Sequence, residues 1–156
     1  MTVEFDFKVT GMKLAQSWLK KASRKMTDLA PFFRTEAKHF QSKMASQFAS
    51  QGQDAGGWAP LEEGYAAWKA ARYPGTLTLY REGGLRASFL NPSAEGHVEM
   101  IYPQHAIFGS SLPLAGYHQH GTDIMPERPI VVVTADDRAG YRERLGKYAR
   151  EAVERM

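Results

Sequence analysis

The chain contains no cysteine. This absence excludes disulfide bonds, thiolate zinc sites and cysteine nucleophiles, and it suits a reducing compartment or an assembly that is held by packing alone. Long apolar runs are also missing: the longest aliphatic run, residues 130–133, is far shorter than the roughly 18 apolar residues of a membrane-spanning helix. The polar start lacks the apolar core of a signal peptide. We therefore expect neither secretion nor membrane insertion.

Net charge is low as well, at +3 over 156 residues. With 43% hydrophobic residues, 24% charged residues and a mean hydropathy of −0.45, the composition is typical of one compact soluble domain, here residues 1–156. The charge is unevenly distributed, because residues 1–50 carry +5 and the remainder carries −2. A basic front can bind DNA phosphates, or it can simply be the solvated side of amphipathic helices.

Periodicity predicts the elements of the N-terminal third. Alternating apolar residues predict a strand at the start, at Val3, Phe5, Phe7 and Val9. From Gly11 the apolar spacing changes to three and four residues, which predicts an amphipathic helix. Pro31 interrupts the pattern, so we expect two helices or one bent helix. The second stripe forms an aromatic seam that should be buried, at Phe33, Ala37, Phe40, Met44 and Phe48.

A glycine-rich segment at about residues 51–59 is predicted to be a flexible loop. It ends in Trp58, which could anchor a neighbouring subunit or fold back on its own core. The three glycines are not a nucleotide-binding loop, because no Lys-Ser/Thr pair follows them. After Pro60, apolar spacing predicts a short helix that Pro74 and Gly75 end.

The second half of the chain is predicted to be mainly strands followed by one helix. We expect short strands at residues 88–90, 97–102, 106–108 and 130–133, and a turn-rich stretch at residues 109–129. Thr134 and Asp137 have the spacing of a capping box, so a final helix should begin there. The order of elements predicts an α+β domain, with N-terminal helices and a C-terminal helix packed on a small antiparallel or mixed sheet.

Motifs for catalysis are weak throughout. His118 and His120 would share one face of a strand and could bind a metal, but the spacing identifies no third ligand. The carboxylates of Asp136 and Asp137 are explained by the start of a helix. No G-x-S-x-G motif surrounds Ser88 or Ser110. The sequence therefore predicts no catalytic, cofactor-binding or metal-binding residue, and no enzyme.

A series of short motifs resembles the phage virion morphogenesis family of tail completion proteins, which contractile-tailed and Mu-like phages carry. The similarity covers roughly residues 45–150, and each motif is unspecific by itself. Tyr65 and Glu82 stand where the family pattern favours threonine. The matching positions, in chain order, are Trp58, Pro60, Leu61, Tyr65, Lys69, Leu79, Gly83, Leu85, Arg86, Ser88, Tyr117, His118, Gln119, Gly121, Arg128, Pro129 and Asp137.

The resemblance implies a non-enzymatic structural protein that completes or caps the tail and helps to join it to the head. It implies that the protein is assembled in the host cytoplasm and becomes part of the virion tail. It also implies that the protein forms a ring, most readily a hexamer, and contacts other tail and neck proteins. The candidate assembly interface comprises Trp58, Pro60, Leu61, Tyr65, His118, Gln119, Gly121 and Arg128. The alternative is a DNA-contacting module of the head–tail channel that uses the basic N-terminal helices.

Overall fold

The computed structural model describes residues 12–154, which form an α+β fold of six α-helices and a two-stranded antiparallel sheet. This confirms the predicted fold class. The strand expected at residues 3–9 lies outside the described residues. The elements are α1 Met12–Thr27, α2 Ala30–Ala49, a 3-10 turn at Gln53–Ala55, α3 Glu63–Arg72, α4 Gly84–Leu90, β1 His97–Ile101, β2 Ala106–Ser110, α5 Pro113–His120 and α6 Ala135–Glu154.

The first two helices are separate, as the break near Pro31 allows. Pro31 lies in the first turn of α2, where its missing N–H costs no helical hydrogen bond. The aromatic seam of α2 is buried as predicted: Phe33, Met44 and Phe48 are at most 7% exposed, while Phe40 is half-buried. Met44 and Phe48 form the main core with Leu85, Phe89, Ala115 and Ile130.

The sheet is a single hairpin that packs against α2 and α4. Its register pairs Glu99 with Phe108, and the Phe108 ring stacks on Phe40 of α2 at a centroid distance of 5.7 Å. The Ser88 hydroxyl of α4 donates to Ser110 Oγ of β2 at 2.8 Å. At the hairpin turn, the Leu29 amide donates to the Pro103 carbonyl at 2.7 Å. Both strands predicted in this region are confirmed.

Two predicted strands are wrong. Residues 88–90 belong to helix α4, in which Leu85, Ser88 and Phe89 are buried at helical spacing. A run of three residues is too short to distinguish period two from period 3.6. Residues 130–133 are not in a strand of the described chain, because a side chain rather than a neighbouring strand binds their backbone.

The last helix begins as the capping box predicts. Thr134 Oγ1 accepts a hydrogen bond from the Asp137 amide at 3.1 Å, and Asp137 Oδ2 accepts from the Thr134 amide at 2.7 Å. The helix packs on α1 and on the start of α2, where the Phe32 ring contacts Tyr141 and Tyr148 at centroid distances of 5.5 Å each. Among the helices of residues 12–154, none has the length and apolarity needed to cross a bilayer.

Candidate functional site

Trp58 is turned into the protein rather than outwards. Its ring packs edge-on against Phe48 at 5.5 Å, and its Nε1–H donates to the Pro129 carbonyl at 2.8 Å. Gly52 lies directly beneath the ring with φ +85°, and a Cβ at that position would lie 2.3 Å from Trp58 Cδ1. The Gly52 and Trp58 amides donate to the carbonyls of Gln47 and Gln51. Of the two alternatives for Trp58, the single chain therefore shows the one in which the loop folds back on its own core.

Arg128 completes a reciprocal contact between the same two segments. Its Nε–H and Nη2–H donate to the carbonyls of Ala59 and Pro60, both at 2.8 Å, while Trp58 donates to Pro129 next to it. The Arg128 side chain is 4% exposed, and burial lowers the pKa of its guanidinium. Buried charge is stabilised here by backbone carbonyls, whose dipoles replace water. The motif residues of two distant segments thus bind each other's backbone.

Gln119 binds the extended backbone of residues 130–131. Its Oε1 accepts from the Ile130 and Val131 amides at 3.0 and 2.9 Å, and its Nε2 donates to the Val131 carbonyl at 3.0 Å. One side-chain amide therefore does what an adjacent strand would do for these groups. We call Gln47, Trp58, Gln119 and Arg128, with the backbone that they bind, the central network; Gln47 contributes a weaker bond to the Pro129 carbonyl at 3.4 Å.

His118 and His120 lie on α5, not on a strand or in a tight turn. Two residues apart on a helix, they project about 200° from each other, so the premise for a shared metal is wrong. Pro113 lies in the first turn of this helix, a position where proline is common. The nearby glycines favoured the prediction of turns instead. Burial, with Arg128 as a second cause, lowers the pKa of His118. Its Nδ1 is buried without a hydrogen-bond partner among the described residues.

Gly121 ends α5 in a position that only glycine fits. Its φ is +68°, and a Cβ would lie 2.9 Å from the Glu127 amide nitrogen and 3.0 Å from the Met125 carbonyl oxygen. This close approach lets the Arg128 amide reach the His118 carbonyl at 2.6 Å. The positions predicted in the second half of the interface, His118, Gln119, Gly121 and Arg128, therefore come together inside one chain.

The other predicted positions lie nearer the surface. Pro60 is exposed and Leu61 is half-buried. Tyr65 is 43% exposed and stacks on Trp68 of the same helix at 5.5 Å. The role of all eight residues in an assembly interface stays a prediction, because a single chain contains no neighbour.

Two ion-pair groups connect the helices. Lys43 of α2 binds both Asp137 of α6 and Asp54 of the 3-10 turn, the latter at 3.0 Å. Burial raises the pKa of Asp137, but the hydrogen bonds from Lys43 and Thr134 outweigh it and leave the pKa below its usual value. Arg144 binds Glu36 through two bonds of 2.7 Å each, and Glu36 is 7% exposed.

The described residues include no group of three or more side chains that could hold a metal ion. An open groove lies between α2 and residues 74–80, with Arg86 as the charged group at its edge. Sequence patterns missed Glu36 and Gln47, although both are polar residues on the buried stripe of α2, a signal that could have identified them. The sequence singled out Lys69 only as a position of the family motif, and nothing in it indicated that this lysine is buried and donates to the Leu77 carbonyl.

Comparison with known proteins adds one finding. The model of the phage virion morphogenesis family matches residues 11–149, which is most of the chain. Neither curated proteins nor solved structures gave a significant match. Trp58, Gln119, Gly121 and Arg128, which carried the resemblance in the sequence, are the residues that join distant segments in the fold. The chain thus belongs to the phage virion morphogenesis family and has a role in the structure or assembly of the phage particle.

Proposed function

We propose that the protein is a non-enzymatic subunit that completes or caps the phage tail and helps to join it to the head. The observation that carries the proposal is the family match over residues 11–149. The subunit forms a ring with further copies of itself, most readily a hexamer, and contacts other tail and neck proteins. It is part of the tail in the virion, after assembly in the cytoplasm of the bacterial host.

The distribution of side chains supports an assembly role. The polar groups of the central network are used within the fold, since Trp58, Gln119 and Arg128 all bind backbone of the same chain. Large apolar side chains remain exposed in several elements, among them Leu19, Trp68, Met100 and Ile107. Exposed apolar groups of this size are typical of surfaces that a partner covers.

The direct test is to delete the gene from a phage or inducible prophage that carries it. We expect separate heads and unattached tails, and restored particles when the gene is supplied from a plasmid. A complementing copy that carries Arg128→Ala should restore fewer particles, because it loses two intramolecular hydrogen bonds of the central network. Normal, infectious particles in the deletion strain would contradict the proposal.

A second candidate function is contact with DNA in the head–tail channel. Five bases are exposed on the first two helices, and the described residues give none of them an ion-pair partner: Lys20, Lys21, Arg24, Arg34 and Lys38. Phosphate contacts of this kind do not depend on base sequence, and their affinity falls steeply with salt. This surface is the observation that favours the second candidate.

Titration of duplex DNA at several salt concentrations tests it. Lys20→Glu with Arg24→Glu should weaken binding and reduce the dependence on salt, because two phosphate contacts are lost. Arg72→Glu with Arg86→Glu changes the charge equally at exposed positions elsewhere and serves as the matched control. Equal weakening by both pairs would mean that net charge, not this surface, binds DNA.

A further inference from the structure

Helix α3 is weakly covered by the rest of the chain. Of its side chains only Lys69 is buried. Tyr65 and Trp68 are 43% and 48% exposed, and their rings stack at 5.5 Å with an interplanar angle of 27°. Together with Ala71, which is exposed one turn further on, they form a surface that we call the α3 face. Two exposed aromatic rings leave a large apolar area in contact with water. This contact is unfavourable, and it is removed when another surface covers the rings.

A second apolar surface lies on α1. Leu19 is 71% exposed and Met26 is 43% exposed, and Ser23 lies between them at helical spacing. We call these three residues the α1 face. The helix packs on α6, which leaves this face uncovered within the described chain. Exposed Lys20 and Arg24 lie beside it.

The α1 face and the start of α3 carry opposite charges. Residues 12–27 contain five bases and no acid, so the surroundings of the α1 face are positive. Residues 55–68 contain two acids, Glu62 and Glu63, and no base, so the start of α3 is negative. Complementary charge of this kind orients two surfaces and raises their rate of encounter. The two faces are therefore complementary, since both expose apolar side chains and the charges beside them are opposite.

We propose that the α3 face of one copy docks on the α1 face of the next copy, with Glu62 and Glu63 near Lys20 and Arg24. The inference rests on the proposed function, since it names the contact that forms the ring. Because the two faces differ, the contact is head-to-tail, and it leaves one free α3 face and one free α1 face for further copies. Trp68 is the central anchor, as buried tryptophans commonly are at interfaces.

The absence of cysteine allows a clean crosslinking experiment. Protein carrying Ser23→Cys is mixed with protein carrying Ala71→Cys and oxidised, so that only links between chains can form. We expect a disulfide-linked peptide pair that joins positions 23 and 71. The matched control replaces the first protein by Ser93→Cys, at an exposed position of the segment before β1. A yield no greater than that of the control would overturn the proposal.

Side-chain changes on each face test the chemistry. In the crosslinking mixture, Trp68→Ala on the chain with the α3 face should lower the yield about tenfold, as loss of an interface anchor does. Glu63→Lys should also lower it, and Lys20→Glu on the other chain should restore it. Circular dichroism and melting temperature establish that each variant is folded. Unchanged yield with folded Trp68→Ala would show that the α3 face is not the docking surface.

The outcomes separate this proposal from the proposed function. An oligomer of the unmodified chain by light scattering, without a link between positions 23 and 71, overturns the docking and leaves the tail role standing. A specific link between those positions in a protein that is absent from purified virions supports the docking and contradicts the tail role. Absence of both the link and the oligomer overturns the docking.

Discussion

At the scale of single residues, Trp58 and Gly52 depend on each other. The indole ring fills the space where a side chain at position 52 would lie, and the left-handed backbone of Gly52 brings the chain back under the ring. The ring also contacts Phe48 and satisfies the Pro129 carbonyl. The positive φ of Gly52 and its missing side chain therefore allow Trp58 to pack over it, while the flexibility expected of residues 51–59 stays a prediction.

Gly52→Ala should destabilise the protein more than Gly57→Ala. Both glycines have positive φ, at +85° and +94°, so each substitution costs about 1–2 kcal/mol of backbone strain. Only at position 52 would the new methyl also overlap the Trp58 ring, which adds an overpacking cost of about 1–3 kcal/mol. Urea unfolding measures both values. Equal losses for the two variants would show that Trp58 does not lie where the structure places it.

Trp58→Phe should cost roughly 1–2 kcal/mol of unfolding free energy. The ring largely remains, but the Pro129 carbonyl loses its strongest donor. Trp68→Phe is the matched control, because Trp68 is half exposed and its change should stay within about 0.5 kcal/mol. Chemical denaturation monitored by circular dichroism avoids relying on the fluorescence of the residue that was changed.

At the scale of elements, α2 contacts α4, both strands and α6. One side carries the core through Met44 and Phe48, and its polar residues Glu36 and Lys43 bind α6. Apolar periodicity predicted the helix and its buried seam, but not these ionic contacts. Their partners lie 94 and 108 residues away in the chain, and no local pattern contains that information.

Asp137→Asn should lower stability at neutral pH, and the loss should shrink in acid. Because the folded-state pKa of Asp137 is lowered, its carboxylate stabilises the fold above the unfolded-state pKa of about 3.9. That contribution disappears as pH falls through the lower, folded-state pKa. Unfolding free energies from pH 7 down to pH 3 measure the effect. Asp136→Asn removes a charge from the same helical turn, and it serves as the matched control for the change of charge.

Arg144→Met should cost about 3 kcal/mol, because it leaves the Glu36 carboxylate buried without its cation. The figure lies at the low end for such pairs, since the Arg144 side chain is 35% exposed. The double variant Glu36→Leu with Arg144→Met should recover much of the loss, because no charge stays buried. A double-mutant cycle by thermal or urea unfolding measures the coupling, and additive losses would contradict a direct pair.

At the scale of the whole molecule, the residues that join distant segments are buried or half-buried, while many large apolar side chains stay exposed. Trp58, Gln119 and Arg128 are buried or half-buried, and the central network that they form joins α5, the 58–60 segment and the 128–131 segment. Uncovered apolar residues lie on α1, on α3 and on the hairpin, where Met100 pairs with Ile107, and also in loops, where Ile124 is 97% exposed. The central network thus fixes the shape of the chain, and the exposed apolar residues are the surface that the proposed ring contacts would use.

We expect the assembled protein to be a closed ring of about six copies, near 105 kDa from a chain of 17.5 kDa. Head-to-tail contacts between unlike faces close into a ring when each contact rotates the next copy by the same angle. Native mass spectrometry gives the copy number, and a reconstruction of whole tails gives the location. A reconstruction without this protein at the head-proximal end of the tail would contradict the expectation.

The sequence by itself determined the helices with long periodic patterns, the hairpin strands, the cap of α6 and the family. Each of these depends on local spacing or on a series of short motifs, which a linear chain displays directly. Only the tertiary structure decided the orientation of Trp58, the helical state of residues 88–90 and 118–120, and the absence of a strand at residues 130–133. For three of these the deciding contact comes from elsewhere in the chain: Pro129 for Trp58, the packed core for Phe89, and the Gln119 amide for Val131. Such contacts form only when the chain folds. Before then there are no buried polar groups to satisfy and no packed interior to fill.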